Sequence, residues 1–168
     1  MTAHRGQQRE PDRFLVESTL GKLAKWLRLL GFDTQYTAGA RFEDAAAQAG
    51  AGRILLTRTH KTARRFSHRP VLLIRENDPY DQLRQVAAAL GWSAKDLKPF
   101  SRCLRCNCKT TPIARGDVCG RVPDYVWQTA PRFTTCPHCS RIFWTGTHTD
   151  RALDRIRPLF NPRSEENR

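Results

Sequence analysis

Residues 52–79 read GRILLTRTHKTARRFSHRPVLLIRENDP, and this stretch decides the fold. Arg53-Ile-Leu-Leu-Thr57 and Val71-Leu-Leu-Ile74 are short apolar runs that lack the polar alternation of a half-exposed strand. Runs of this kind suit strands covered on both faces, the habit of parallel sheets. Residues 58–69 between them are basic and read as helix. Asp78-Pro79 then supplies an N-cap followed by proline at the first helical position. Leu83, Val86, Ala87 and Leu90 carry that helix to Gly91.

The same alternation extends upstream. Arg13-Phe-Leu-Val-Glu17 is a β-type run, Ser18-Thr19 reads as an N-cap, and Leu20, Leu23, Ala24, Leu27 and Leu30 follow at helical spacing. Gly31 stands where a helix C′ residue belongs. Phe32 to Tyr36 reads as a second strand, and Phe42 to Gln48 as a short helix ended by Gly50 and Gly52. Strands alternating with helices predict an α/β domain with an open parallel sheet over residues 13–98. Residues 1–12 are polar and aperiodic, a disordered lead-in by expectation.

The composition changes near Lys98-Pro99. Beyond it lie six cysteines, turn residues and the β-type runs Val122 to Trp127 and Arg141 to Trp144, predicting a smaller second unit over 99–157 and a polar tail over 158–168. Cys103-x-x-Cys106 and Cys136-x-x-Cys139 are two knuckles separated by 29 residues, with room for a hairpin between them as in a zinc ribbon. Each pair presents two thiolates from a tight turn, and together they complete the tetrahedral sulfur shell that Zn²⁺ favours. A closed four-cysteine shell leaves no open position, so the metal is expected to be structural and to supply about 10–16 kcal/mol to this unit. Disulfides are disfavoured in a reducing compartment, and a redox CxxC belongs near a βαβ unit rather than in duplicate beyond it. Cys108 and Cys119 are left as spares, although Cys108 could substitute in the Cys-x-x-Cys-x-Cys run, and His138 reads as an exposed knuckle residue.

The 168 residues include 29 Lys or Arg against 16 Asp or Glu, a net charge of +13. Residues 1–99 carry 17 basic and 10 acidic side chains, and residues 100–168 carry 12 and 6, so the excess is no detachable tail. An excess of this size calls for an anionic partner, with nucleic acid and anionic membrane the common candidates and a merely soluble basic surface the plainer reading. No apolar run approaches the ~20 residues of a membrane span. The first residues lack the apolar core of a signal peptide, and a soluble, cytoplasmic chain is expected.

Functional residues of an open parallel sheet belong at the carboxyl ends of its strands. Glu17 ends the first strand, Glu43 and Asp44 open the short helix, and Asp78 follows the fourth strand. Carboxylates converging there would repel one another, and a divalent cation such as Mg²⁺ or Mn²⁺ would relieve that cost and activate water against a phosphodiester. The competing reading makes Glu17 and Asp78 helix caps and Asp44 a first-turn dipole residue.

FLVESTLGKLAKWLRLLGFDTQY, GRILLTR, VLLIRENDPYDQL, SRCLRCN, RVPDYVWQT and CPHCSRIFW, in that order over residues 13–150, resemble the Mut-7 C-terminal RNase domain family. The resemblance implies a PIN-like α/β nuclease fold with an appended zinc ribbon. It further implies metal-dependent RNA cleavage by acids at strand ends, here Glu17, Asp44 and Asp78. The family pattern ends its first strand in Asp, where this chain has Glu17. It usually reads Leu-Leu-Thr-Arg-Asp after the third, where this chain has Leu55-Leu56-Thr57-Arg58-Thr59. A neutral hydroxyl thus replaces one expected carboxylate, which weakens a site for a hard cation.

Residues 53–75 carry seven Lys or Arg and no acid. Arg58, Lys61, Arg64 and Arg65 of this run, with the helical stripe Lys22, Lys25 and Arg28, are the expected RNA-backbone contacts; the plainer reading of such a stripe is a solvated helix face. The ribbon aromatics Trp127, Phe133, Phe143 and Trp144 are read as core, with stacking on single-stranded RNA as the alternative. Two activities follow from these residues. One is a Mg²⁺- or Mn²⁺-dependent ribonuclease, and the other a catalytically impaired member that docks on structured RNA such as ribosomal RNA. A regulatory DNA-binding or protein-interaction role through the ribbon ranks third.

Overall fold

Phe14, Leu15, Val16, Leu55 and Leu56 have no polar side-chain atom to offer water, and the fold gives them the two central strands of a sheet. The computed structural model describes residues 12–50 and 52–160; residues 1–11 of the expected lead-in over 1–12 and 161–168 of the expected tail lie outside the described residues. Asp12, the last of that lead-in, accepts a hydrogen bond from Trp92 Nε1 at 2.7 Å. Strands β1 (Arg13–Val16), β2 (Asp33–Tyr36), β3 (Ile54–Thr57) and β4 (Val71–Leu73) form a parallel sheet in the order β2-β1-β3-β4. Helices α1 (Gly21–Leu29), α2 (Phe42–Gln48), α3 (His60–Arg65) and α4 (Pro79–Leu90) alternate with them. This is the open α/β sheet flanked by helices that the sequence predicts.

Successive strand side chains point to opposite faces, and the two faces are covered differently. Phe14, Val16 and Leu56 pack with Leu23, Leu27, Leu83 and Val86 of α1 and α4. Leu15 and Leu55 pack on the other face with Phe42, Ala46 and Phe66. The fourth strand departs from expectation. β4 lies at the sheet edge, where Val71, Leu72 and Leu73 are only half-buried, and full burial begins at Ile74.

Ser18 and Thr19 do not cap α1. Ser18–Leu20 forms a single 3-10 turn and the α-helix starts at Gly21 with no side-chain cap. The Tyr36 hydroxyl donates to the Ser18 carbonyl at 2.7 Å and lies 2.8 Å from where a Cβ on Gly21 would stand. At the other end Gly31 has φ +96°, and a Cβ there would meet the Lys98 carbonyl oxygen at 2.4 Å. Asp78 caps α4 through the amides of Tyr80 and Asp81, and Gly91 closes it at φ +63°.

The second unit contains β5 (Thr111–Ile113), α5 (Asp124–Thr129), β6 (Phe133–Thr135) and β7 (Ile142–Trp144), with the strands antiparallel in the order β5-β6-β7. The run Val122–Trp127, expected as β, turns helical at Asp124. Pro123 presets the entry, Asp124 suits the first turn, and Val126 and Ala130, four apart, bury together against Val118 and Phe133. Phe133 is core at 5 % exposure, whereas Trp144 is exposed at the sheet margin. A further helix, α6 (Thr147–Ile156), and a 3-10 turn over Arg157–Phe160 return to the α/β domain: Ile156 and Phe160 join its core beside Trp92. Residues expected to end the ribbon and begin a polar tail therefore complete the larger core, and Leu153, Ile156, Leu159 and Phe160 carry the contact.

Candidate nucleic-acid interface

Glu17 projects from the carboxyl end of β1 onto the end of β3. Its Oε2 accepts hydrogen bonds from the Thr57 hydroxyl and the Arg58 amide, both at 2.7 Å, and its Oε1 accepts one from the Thr59 hydroxyl at 3.2 Å. Thr59 thus donates to the carboxylate beside which the family pattern places a second acid. Asp44, in the first turn of α2, is exposed and lies 4.0 Å from the guanidinium of Arg41. Asp78 spends Oδ1 on the first two amides of α4. The capping reading therefore describes Asp78 and the first-turn reading describes Asp44.

Whether these acids suit Mg²⁺ or Mn²⁺ can be judged from their donors. Among the described residues, the group of three or more His, Cys, Asp or Glu whose ligand atoms fall within 4.8 Å of one another is the cysteine quartet; Glu17, Asp44 and Asp78 do not form such a group. Glu17 is engaged by three donors and Thr59 stands in place of an acid, so among the described residues no three acids converge on a preformed site for a hard divalent cation.

A basic cleft opens beside them. It encloses about 890 Å³ and is lined by Lys22, Lys25, Arg28, Arg58, Arg105 and Arg141, with no acidic side chain in its wall. α1 supplies the first three cations at helical spacing, the turn after β3 supplies Arg58, and the ribbon supplies the last two. Arg58 links the cleft to the acidic edge: its amide holds Glu17 and its guanidinium donates to Asn77 Oδ1. Arg105, inside the first knuckle, escaped the sequence reading, and Arg141, just past the second, was noted only as a neighbour of the ribbon aromatics; the docking of the ribbon brings both to α1.

The expected RNA contacts separate into three groups. Lys22, Lys25 and Arg58 line the cleft with exposed side chains. Lys61, Arg64 and Arg65 are exposed on α3 and are not part of its wall. Arg28 is 9 % exposed and works as a tie, donating from Nε to the Thr34 carbonyl and from one terminal nitrogen to the carbonyls of Leu104 and Arg105 at 2.9 Å. Burial lowers its pKa, opposed by nearby thiolates and Asp33. Other cations of the 53–75 run are likewise structural: Arg53 pairs with Asp33, and Arg69 reaches the carbonyls of Ala46 and Gly50.

The ribbon is seated on the exposed edge of β2. The Asn107 side chain accepts from the Thr34 amide at 2.9 Å and donates to Asp33 at 2.7 Å, so the open edge strand finds its partner in the first knuckle. Arg102 donates to the Gly31 carbonyl, and the amides of Lys98 and Phe100 bond the carbonyls of Leu30 and Leu29 that end α1.

Cys103, Cys106, Cys136 and Cys139 bring their sulfurs within 4.8 Å of one another, with Cys103 and Cys139 3.7 Å apart and no disulfide between them. Four thiols in this arrangement can hold a metal such as zinc. Burial and the neighbouring thiols push Cys106 up to about 12. Cys136 is burdened by burial but drawn down to about 7 by hydrogen bonds from the Cys139 and His138 amides. Cys108 and Cys119 stay outside the quartet.

An open parallel sheet, a ribbon with a four-thiol cluster docked on its edge, and a groove of cations along the seam define an α/β protein with a cationic cleft. The chain belongs to the Mut7-C RNAse domain family, which it matches over residues 12–156. No curated protein and no solved structure is significantly similar to it. Membership gives an RNA-related, nuclease-type function, with RNA as the class of substrate or partner. No helix among the described residues is long and apolar enough to cross a membrane.

Proposed function

We propose that this protein binds RNA along the cleft between α1 and the ribbon, and that holding RNA rather than cutting it is its principal activity. The observation that carries the reading is the wall itself: six cations from four separate chain segments and, among the described residues, no acid. Lys22, Lys25, Arg58, Arg105 and Arg141 contact phosphates, which gives affinity without sequence choice and a steep dependence on salt. Zinc in the cysteine quartet is the structural metal, and its role is to keep Arg105 and Arg141 facing α1. Structured RNA, ribosomal RNA included, is the ligand class, and the cytoplasm the place of action.

A second reading, a metal-dependent ribonuclease with Glu17, Asp44 and Asp78 as its acids, is favoured by the family and by the position of Glu17 next to Arg58. One pair of assays separates the two. RNA binding measured with and without EDTA, at times short enough to leave zinc in place, is expected to be unchanged. Mn²⁺-dependent cleavage is expected not to exceed that of Glu17→Gln. Cleavage in the wild type that Glu17→Gln abolishes would establish the nuclease instead.

A further inference from the structure

A second cavity, of about 400 Å³, opens next to the basic cleft and differs from it in character. Its walls include Trp26 and Leu29 of α1, Tyr80 of α4 and Leu104 of the first knuckle, and its rim carries Lys22, Lys25 and Arg155. Trp26, Leu29 and Tyr80 are half-buried against the main core, so the aromatic rings are held from behind. The Arg155 guanidinium, from α6, sits 5.4 Å from the centroid of the Tyr80 ring and fixes it further. Lys22, Lys25, Pro79 and Leu104 line both cavities, so the two share a wall and a polymer lying in one passes the mouth of the other.

Resting on the reading of the cleft as an RNA site, we infer that this cavity is a nucleobase subsite, where one unpaired base of a single-stranded RNA segment leaves the backbone track and stacks on Trp26 and Tyr80. The volume falls in the range of about 300–1,000 Å³ typical of small-ligand pockets. Paired aromatic and apolar walls offer what a base face needs and a phosphate does not. Charge sorts the two halves of the nucleotide. Asp78 also lines this cavity, and it would repel a phosphate while accepting a hydrogen bond from the N–H groups of a base edge. The adjoining cleft has no acid and takes the phosphates. RNA duplex, whose bases are stacked and paired, cannot fill the cavity without opening.

The test compares a single-stranded RNA with an abasic ribose-phosphate polymer of equal length and charge, on the full chain in EDTA at short times. Wild type is expected to bind the intact RNA about tenfold or more tightly than the abasic polymer. Trp26→Leu and Tyr80→Leu, which keep the apolar backing, are expected to bring that ratio toward one, while Lys22→Ala weakens both ligands alike. Equal binding of the two polymers by wild type, or a ratio untouched by either aromatic substitution, overturns the subsite while leaving the cleft reading intact. Failure of both polymers to bind overturns the two together.

Discussion

Asp33 shows how one residue at the edge of the sheet carries several jobs. Arg53 grips both its oxygens at 2.9 and 3.0 Å, and Asn107 of the ribbon adds a third bond at 2.7 Å. Burial pushes its carboxyl up, but these hydrogen bonds and the charges of Arg53 and Arg102 outweigh that and hold it below the usual 3.8. A carboxyl whose folded pKa is depressed stabilises the fold above its unfolded pKa and loses that contribution as pH falls through the folded value. Asp33→Asn is therefore expected to cost about 1–3 kcal/mol at neutral pH, measured by urea unfolding, with the gap from wild type closing in acid below the usual carboxylate value. A constant gap at all pH values would contradict the assignment. At this scale the sequence was legible where a residue acts on its own neighbours, as Asp78 does before Pro79. It was opaque where the partner is remote: nothing in Arg28 announces carbonyls 76 and 77 residues away, and nothing in Thr59 announces that its hydroxyl donates to Glu17.

At the scale of elements, local chemistry and tertiary packing contend. The periodicity of α2 and α4 and the apolar runs of β1 and β3 were readable because propensity, pattern and burial agree. They disagree over Val122–Trp127, whose β-rich composition yields to a proline entry and to an apolar pair four residues apart. α6 was missed because its few apolar residues become meaningful only against Trp92 and the far end of the core. The junction after α1 is the least tolerant point. Gly31→Ala combines a positive φ with a backbone oxygen 2.4 Å from the new carbon, and both α1 and residues 98–102, the strap that leads into the ribbon, are anchored there. We expect a loss of about 2–4 kcal/mol by denaturant titration, with a fall in RNA affinity as the strap shifts; a loss under about 0.5 kcal/mol, the usual surface value, would show that the strap yields freely.

For the molecule as a whole, the cysteine quartet, the ribbon and the cleft form one chain of dependence. The quartet sets the knuckles, the first knuckle is tied to α1 and β2 by Arg28 and Asn107, and the knuckles deliver Arg105 and Arg141 to the groove. Prolonged treatment with a zinc chelator is expected to release about one equivalent of zinc and to weaken RNA binding at least tenfold while the parallel sheet persists by circular dichroism. Because the thiols must lose protons to bind metal, zinc retention is expected to fall as pH drops. Undiminished RNA binding by the metal-free protein would separate ribbon from cleft. The most direct test of the central claim is the dependence of RNA affinity on salt for the wild type and for the triple substitution Lys22→Ala, Lys25→Ala, Arg141→Ala. Each phosphate contact on single-stranded RNA contributes about 0.7 to the slope of log affinity against log salt, so removing three should flatten it by about 2. A slope equal to that of wild type would place the RNA elsewhere on the protein.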